Sequence, residues 1–358
     1  MLKALKITSF RGFGTLVSVA CAFIVGALII LVMGYDPAEA YRELFKGAFL
    51  GRFSFGTTLE KFSPILLTGF GYAVCIKVRY FNLGLEGCLY MGGIISCGIG
   101  LITGLPMIVH IPLGLICGAL AGSIWAGIPG ILRVLYNVNE ACSTIMLNYV
   151  AVLFTSFMLF NVWREVMAIP RTPFIQRSAQ FVRIQSLRPS RVSYAIFLLI
   201  IVWLFVYWIV YKTSFGFKLR ATGSNLFFSS YIGYHAKRTV LLTVCLGGAI
   251  GGFAGSIEIM GIYYCVWDTF SNWTAFDGML ASLIAKNDVR KLPFSAFILA
   301  ALRAGALGME RFSGIPKSLI DTLVPIMIIL IAMEGIYETI KSFQPKKIEQ
   351  SGASKEGT

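Results

Sequence analysis

The chain has 358 residues, 57% of them hydrophobic and 13% charged, with a mean hydropathy of +0.77. Soluble domains carry roughly 25% charged residues, so this composition is too poor in charge to cover a folded surface in water and excludes a cytosolic enzyme. The net charge of +14 is scattered between apolar runs rather than gathered on one face, which fits loop bias across a membrane and not nucleic-acid binding.

A helix needs about 20 mostly apolar residues to cross the hydrocarbon core. That measure predicts an all-α integral membrane protein, a polytopic bundle of about ten segments near 13–33, 62–77, 84–104, 108–132, 141–161, 194–211, 239–260, 274–285, 293–309 and 319–337. Lys3, Lys6 and Arg11 precede the first. Its apolar stretch is longer than the roughly 7–15 residues of a signal-peptide core, so an uncleaved span is expected despite the cleavage-like Ala38-Glu39-Ala40. The segment 274–285 is too short to cross alone and reads as a half-helix or re-entrant segment, tolerated only when buried in protein.

Ten passes with the N-terminus inside leave both ends cytoplasmic, with 18 Lys and Arg on the inner side and 12 on the outer. The basic flank before the first span and Asp36 and Glu39 after it point the same way. Loops 34–61 and 162–193 then face outward and 212–238 faces the cytoplasm. None is long enough for an independent catalytic domain. Residues 1–343 form one transmembrane domain, and 344–358 read as a disordered cytoplasmic tail.

Eight Cys occur without a C-x-x-C pair and mostly within apolar runs, so they read as small buried hydrophobes. His110 and His235 lack Cys or carboxylate neighbours at ligand spacing, and no metal site is expected. Three ladders of small residues at spacing four, Gly114/Gly118/Gly122/Ala126, Gly92/Ser96/Gly100 and Gly247/Gly251/Gly255, allow close helix approach. Charged and amide side chains within spans are costly and usually face protein or a water-filled cavity. Asn82, Glu86, Asn148, Glu258, Asp277 and Arg303 are therefore candidates for a solute route. The plainer alternatives are an ion pair of Arg303 with Glu258 or Asp277, and a structural pairing of Glu86 with Lys77 or Arg79. Gly84 and Gly87 flank Glu86, where a helix break would expose backbone groups.

Gly216 and Gly223 bracket a polar, basic stretch, and 224–234 is expected to form a short helix with Ser224 or Asn225 as its N-cap; a solvated loop is the plain alternative. The chain has no G-x-x-x-x-G-K-[ST] to cradle ATP, no H-E-x-x-H and no G-x-S-x-G. A transporter subunit, a self-sufficient secondary transporter using Glu86 or Glu258 for a coupling ion, and a membrane scaffold remain.

Four segments decide among these. Tyr80-Phe81-Asn82-Leu83-Gly84-Leu85-Glu86-Gly87 resembles the FNxGxEG pattern of permease subunits in bacterial ABC importers of the ribose and branched-chain amino-acid type, within that group looking closest to the nucleoside branch. NVNEACSTIMLNYVA at 137–151, LRATGSNLFFSSYIGYHAKRT at 219–239 and LRAGALGMERFSGIPKSLID at 302–321 resemble further blocks of that branch, in the same order. Cys88 replaces a common Gln, and KNDVRKLPF at 286–294 replaces a shorter turn, which bears on the solute and on a cytoplasmic contact.

The resemblance implies a non-enzymatic translocation subunit working by alternating access in a bacterial cytoplasmic membrane. It implies a second permease, identical or related, a cytoplasmic ATPase that binds ATP and Mg, and an extracytoplasmic solute-binding lipoprotein. No cofactor is expected in this chain. The family's cytoplasmic helix docks into a groove of the ATPase, which assigns coupling to Arg220, Gly223, Ser224, Asn225, Ser229, Tyr231 and Gly233. The implied solute is a nucleoside, a purine nucleoside first, with a flavin or simple sugar as alternatives.

Overall fold

The computed structural model describes residues 18–165, 170–225, 229 and 233–343, with the side chains of 334–343 left aside. The described residues form twelve α-helices: α1 (Ser18–Val32), α2 (Pro37–Phe49), α3 (Arg52–Ile76), α4 (Leu85–Gly100), α5 (Met107–Tyr136), α6 (Glu140–Asn161), α7 (Ile196–Lys212), α8 (Ser214–Ser224), α9 (Ala236–Ile257), α10 (Thr274–Ile284), α11 (Leu292–Phe312) and α12 (Lys317–Phe343). A π-helical stretch, Glu258–Tyr263, extends α9.

All ten expected apolar segments fall on helices, but the count of ten crossings is not what the structure supplies. Among the described residues, five helices are long and apolar enough to cross a bilayer: α3, α5, α6, α9 with its π extension, and α11. A sixth arises if α7 and α8, bent by 66°, count as one span. The segment at α4 yields a short helix that ends at Gly100, four residues before the end of the expected run, and α10 is as short as its sequence predicts.

Residues 34–61 are not a loop. Asp36 caps α2 by accepting from the Ala38 N–H at 2.8 Å, and Pro37 occupies the first turn, a start signal with a fixed φ suited to a helix. Its charged residues hid it from hydropathy. Likewise α3 begins at Arg52, ten residues before the apolar run, and carries Glu60 and Lys61 within it.

The core is built around α9, which packs on α5, α4 and α3. Glycines make this possible. A Cβ on Gly92 would stand 2.1 Å from the Gly252 carbonyl oxygen, one on Gly122 2.3 Å from that of Gly248, and one on Gly255 2.0 Å from that of Leu89. The three ladders meet neighbouring backbone, and α9 adds a second glycine face, Gly248 and Gly252, that the ladder reading did not single out. Outside this core, α5, α6 and α7 expose Ile124, Leu153 and Ile201 among other apolar side chains, as lipid-facing surfaces do.

The described part of the 162–193 connection from 170 onward is packed rather than loose. Thr172, Ile175 and Phe181 donate backbone N–H bonds to Val266, Tyr264 and Met260, binding this segment to the end of α9. His110 pins it from α5, with Nδ1 against Ser178 Oγ and Nε2 against the Ile99 carbonyl, both at 2.8 Å. Cys75, Cys88, Cys97 and Cys265 are buried as expected, whereas Cys21 and Cys142 are exposed.

Gly92→Ala is expected to destabilise the bundle by about 1–3 kcal/mol, the range for forced overpacking. Gly127→Ala, whose Cβ would meet only Cys245 Sγ at 3.5 Å, should change stability by under about 0.5 kcal/mol. Denaturant titration in detergent measures both, and equal effects would remove the close-approach account.

Candidate functional site

Two helices begin inside the bundle and meet at one carboxylate. α4 follows the non-helical stretch 77–84, and α10 follows 264–273. Glu86, in the first turn of α4, accepts from the Trp273 N–H through Oε1 at 3.0 Å and from the Ala275 N–H through Oε2 at 2.8 Å. The first N–H groups of a helix lack intrahelical partners and carry partial positive charge. α10 has no side-chain cap of its own, since Trp273 at its N-cap has φ of +63° and contributes none. Glu86, 1% exposed, supplies that cap while its charge also favours the N-terminus of α4. Both oxygens thus go to the α10 backbone, where the sequence had offered Lys77 or Arg79.

The same junction gathers two more expected residues. Asn82 Oδ1 accepts from the Gly84 N–H at 2.9 Å, and its Nδ2 reaches Cys75 Sγ at 3.5 Å. Asn148, brought in by α6, donates from Nδ2 to the Leu83 carbonyl at 2.7 Å and accepts from the Gly87 N–H at 2.8 Å. It therefore clamps the backbone on both sides of the start of α4. The helix interruption ends at Gly84, and Gly87 lies inside α4.

Asp277 and Arg303 lie apart from these bonds, one turn into α10 and midway along α11. Arg303 donates from Nε to Asp277 Oδ2 and from Nη2 to Oδ1, both at 2.7 Å, a bidentate arrangement that fixes angle as well as distance. Of the two expected pairings for Arg303, this is the one formed. Glu258 is elsewhere, at the start of the π stretch, 3% exposed and with Oε2 lacking a hydrogen-bond partner among the described residues.

The pair lines a cavity of about 180 Å³ between α3, α10, α11 and α12. A single water needs only about 10–15 Å³ by this measure, so the space admits a small polar solute. Lys61, Glu310, Lys317 and Asp321 complete its charged wall. None of these four was legible as a pathway residue, because each falls outside the expected apolar runs or in the first turn of one, where charge is unremarkable.

The opposite end of the bundle holds the segment expected to couple. A helix precedes the expected one: Thr213 Oγ1 accepts from the Gly216 N–H at 3.1 Å and caps α8. Ser224 is the last residue of α8 and Asn225 its C-cap, and the helix expected over 224–234 falls mostly on residues outside the described ones. The Asn225 carbonyl does accept from the Ser229 N–H at 3.0 Å, and Ser229 Oγ meets Thr222 Oγ1 at 3.1 Å. Ser224 Oγ donates to the Arg220 carbonyl, Arg220 donates to the Val210 carbonyl, and Gly233 has φ of +82°. Tyr231 lies outside the described residues.

Gly223 is the tightest of these contacts. A Cβ there would stand 1.7 Å from the Lys77 carbonyl oxygen, so α8 rests directly on the backbone that leads to Asn82 and Glu86. The divergent turn 286–294 joins the same end: Tyr211 donates to Asp288 at 2.9 Å, Trp203 donates to the Val289 carbonyl at 3.1 Å, and Arg290 forks onto Asp288. Burial alone would raise the Asp288 carboxyl, but the bonds from Arg290 and Tyr211 outweigh it and hold it down at about 2.

The family described as the permease component of the branched-chain amino acid transport system matches residues 54–333. The chain belongs to this family. This permease is 31% identical over 328 residues to the guanosine ABC transporter permease NupP of Bacillus subtilis, covering 88% of this chain and 92% of that one. It is 32% identical over 349 residues to the nucleoside ABC transporter permease NupB of Lactococcus lactis, covering 95% of each. The glucose ABC transporter permease TsgB13 of Haloferax volcanii is 26% identical over 342 residues, 93% of this permease and 90% of that chain. No solved structure matches the permease. With the family and the apolar helices together, it is a multi-pass membrane protein. Among the described residues no group of His, Cys, Asp and Glu is placed to hold a metal ion.

Asn148→Ala would strand the Gly87 N–H and the Leu83 carbonyl, at a cost of about 1–3 kcal/mol. Unfolding of the purified variant measures that loss, and wild-type stability would show that the clamp is dispensable. A second expectation concerns acid. Asp288 is depressed in the folded state, below an unfolded value of about 3.9, so its contribution is complete above about pH 4 and disappears as pH falls towards 2. Melting temperatures of the parent and of Asp288→Asn should differ at pH 5 and converge as the pH approaches 2; a constant difference would remove the linkage.

Proposed function

We propose that this permease forms the translocation path of an ATP-driven importer for nucleosides, purine nucleosides first. The observation that carries the reading is the near full-length similarity to two permeases named for guanosine and nucleosides. The sugar permease is a weaker match and makes a simple sugar the second reading. The partners of this proposal are a second permease, a cytoplasmic ATPase that supplies ATP hydrolysis, and a solute-binding lipoprotein outside. The end bearing the 162–193 segment and the turn at 313–316 faces outward, and the end bearing α8 faces the cytoplasm.

Within the chain, the solute route takes in the Asp277–Arg303 cavity, and the Glu86 junction sets its geometry. Asn82 and Asn148 hold the start of α4 against which α10 is capped. Glu258 stands at the outward end of α9 as a further route residue. On the cytoplasmic side, α8 and the segment through Ser229, Tyr231 and Gly233 receive the ATPase. A push on α8 passes through Gly223 to the Lys77 backbone, along 77–84 to Glu86, and so to the N-terminus of α10. That movement carries Asp277 with it, which is how a cytoplasmic event would alter the cavity. The chain itself performs no covalent chemistry in this scheme.

Reconstitution with ATPase, second permease and binding protein tests the reading: radiolabelled guanosine should accumulate only with ATP. Accumulation driven by an ion gradient in vesicles holding this chain alone would replace it with a secondary transporter. Glucose uptake without guanosine uptake would favour the sugar reading.

Gly223→Val tests the coupling route. Overlap with the Lys77 carbonyl shifts α8 at a strain of about 1–3 kcal/mol, so solute moved per ATP hydrolysed should fall by roughly five- to a hundredfold while the subunits still co-purify. An unchanged ratio in the assembled complex would end this account of coupling.

A further inference from the structure

The cavity between α3, α10, α11 and α12 is walled by six ionisable side chains. Lys61, Arg303 and Lys317 are basic, and Asp277, Glu310 and Asp321 are acidic. Three charges of each sign leave it formally neutral, in a chain whose overall charge is +14. All four packed helices contribute, and two flanking charges turn elsewhere, while buried Glu86 and Glu258 stand behind the wall without lining it. Glu60 accepts from the Arg191 backbone N–H, while Arg311 stands over the Phe53 ring at 5.3 Å and lines a separate cavity.

The signs are interleaved rather than segregated. Arg303 spends Nε and Nη2 on Asp277, which leaves Nη1 outside the pair, and its side chain is 31% exposed. Lys317 and Asp321 lie one turn apart on α12, and Glu310 faces them from the end of α11 across the 313–316 turn. A solute entering here meets donors and acceptors in equal supply. Hydroxyls and heteroatoms of an uncharged molecule can use both. A phosphate dianion would give up its hydration without a surplus of positive charge to replace it, and an unpaired charge taken from water is costly.

We propose that the charge balance of this cavity is a selectivity device. It admits uncharged, polyhydroxylated, heteroatom-rich solutes and rejects their phosphorylated forms. The inference rests on the nucleoside reading for its solute, and goes beyond it by assigning the discrimination to Lys61, Glu310, Lys317 and Asp321 around the Asp277–Arg303 pair.

Local potential and solute choice are measured separately. Leu307, half-buried on the cavity wall, is changed to Cys in the full chain. Its modification by cationic, neutral and anionic methanethiosulfonates is then followed at that peptide by mass spectrometry, with rates normalised to a small free thiol. In the parent, anionic and cationic rates should agree within about threefold. Asp321→Asn or Glu310→Gln should raise the anion-to-cation ratio by about three- to tenfold, and Lys317→Gln should lower it similarly, as one unit charge several ångströms away requires. A parent ratio already favouring anions by about tenfold or more, or a ratio unmoved by all three substitutions, overturns the charge-balance inference.

The second measurement is binding of radiolabelled guanosine to the permease in nanodiscs. Guanosine 5′-monophosphate should fail to displace it from the parent and should displace it from the Glu310→Gln/Asp321→Asn variant. Displacement from the parent and the variant alike removes the selectivity device and leaves the nucleoside reading standing. Labelling ratios that behave as expected while guanosine neither binds nor is transported remove the nucleoside reading and leave the selection of uncharged solutes standing.

Discussion

Helix α9 meets its neighbours through glycines at the points of closest approach, and the rest of the bundle depends on that. In a bilayer apolar side chains gain little by leaving lipid for protein, so helices hold together through van der Waals packing at short range. Gly247, Gly251 and Gly255 on one face, with Gly248 and Gly252 beside them, let the backbones of α3, α4 and α5 approach closely enough for that attraction to work. A single methyl group at Gly92 or Gly122 would collide with a carbonyl of α9. The position of α4, and hence of everything its first turn holds, follows from this contact.

Given a fixed α4, the carboxylate of Glu86 is placed where a second helix can begin. Starting a helix in the middle of a bundle leaves N–H groups without water or an upstream turn to bond them. Glu86 resolves this for α10, and Asn148 does the same for the backbone entering α4. The non-helical approach 264–273 is in turn secured by the 162–193 segment, where Thr172 both donates to and accepts from Val266. Irregular backbone is thus present at depth only where side chains or neighbouring loops satisfy it.

Much of this was visible in the sequence, and the failures have physical causes. The ladders on α4, α5 and α9 and the polar residues of the spans were legible because small and charged residues are rare enough in apolar runs to stand out. The partner of Glu86 was not, since a carboxylate bonded to backbone N–H groups nearly two hundred positions away leaves no mark on residue type. The amphipathic α2 and the first turns of α3 were missed because Glu39, Arg42, Glu43 and Lys46 in the one and Arg52, Glu60 and Lys61 in the other lower the hydropathy of their segments. The Thr213 cap of α8 was readable by the same rule applied to Ser224 and Asn225, but attention to Gly216 and Gly223 as brackets left the helix between them unread. Gly223 was read as the edge of a polar stretch, and the structure shows that it leaves room for the Lys77 carbonyl.

The geometry also restricts how a cytoplasmic signal could reach the cavity. α10 has eleven residues, and its N-terminus is capped from another helix. A helix so short draws little stability from its own hydrogen bonds, so its position is decided by its two ends. One end is the Glu86 junction. The other runs into the 285–291 turn, which Tyr211, Trp203 and Arg290 tie to the α7–α8 corner. The two ends of α10 are therefore tied to the α7–α8 corner, one to α8 through Gly223 and the 77–84 backbone, the other to α7 through Asp288. Asp277 lies between them, and the Arg303 fork tolerates little change of angle before its two bonds fail together. On the proposed coupling route, a rigid shift of the α7–α8 corner would thus act on both ends of α10 at once. The Asp277–Arg303 pair is where that shift would be felt as made or broken bonds.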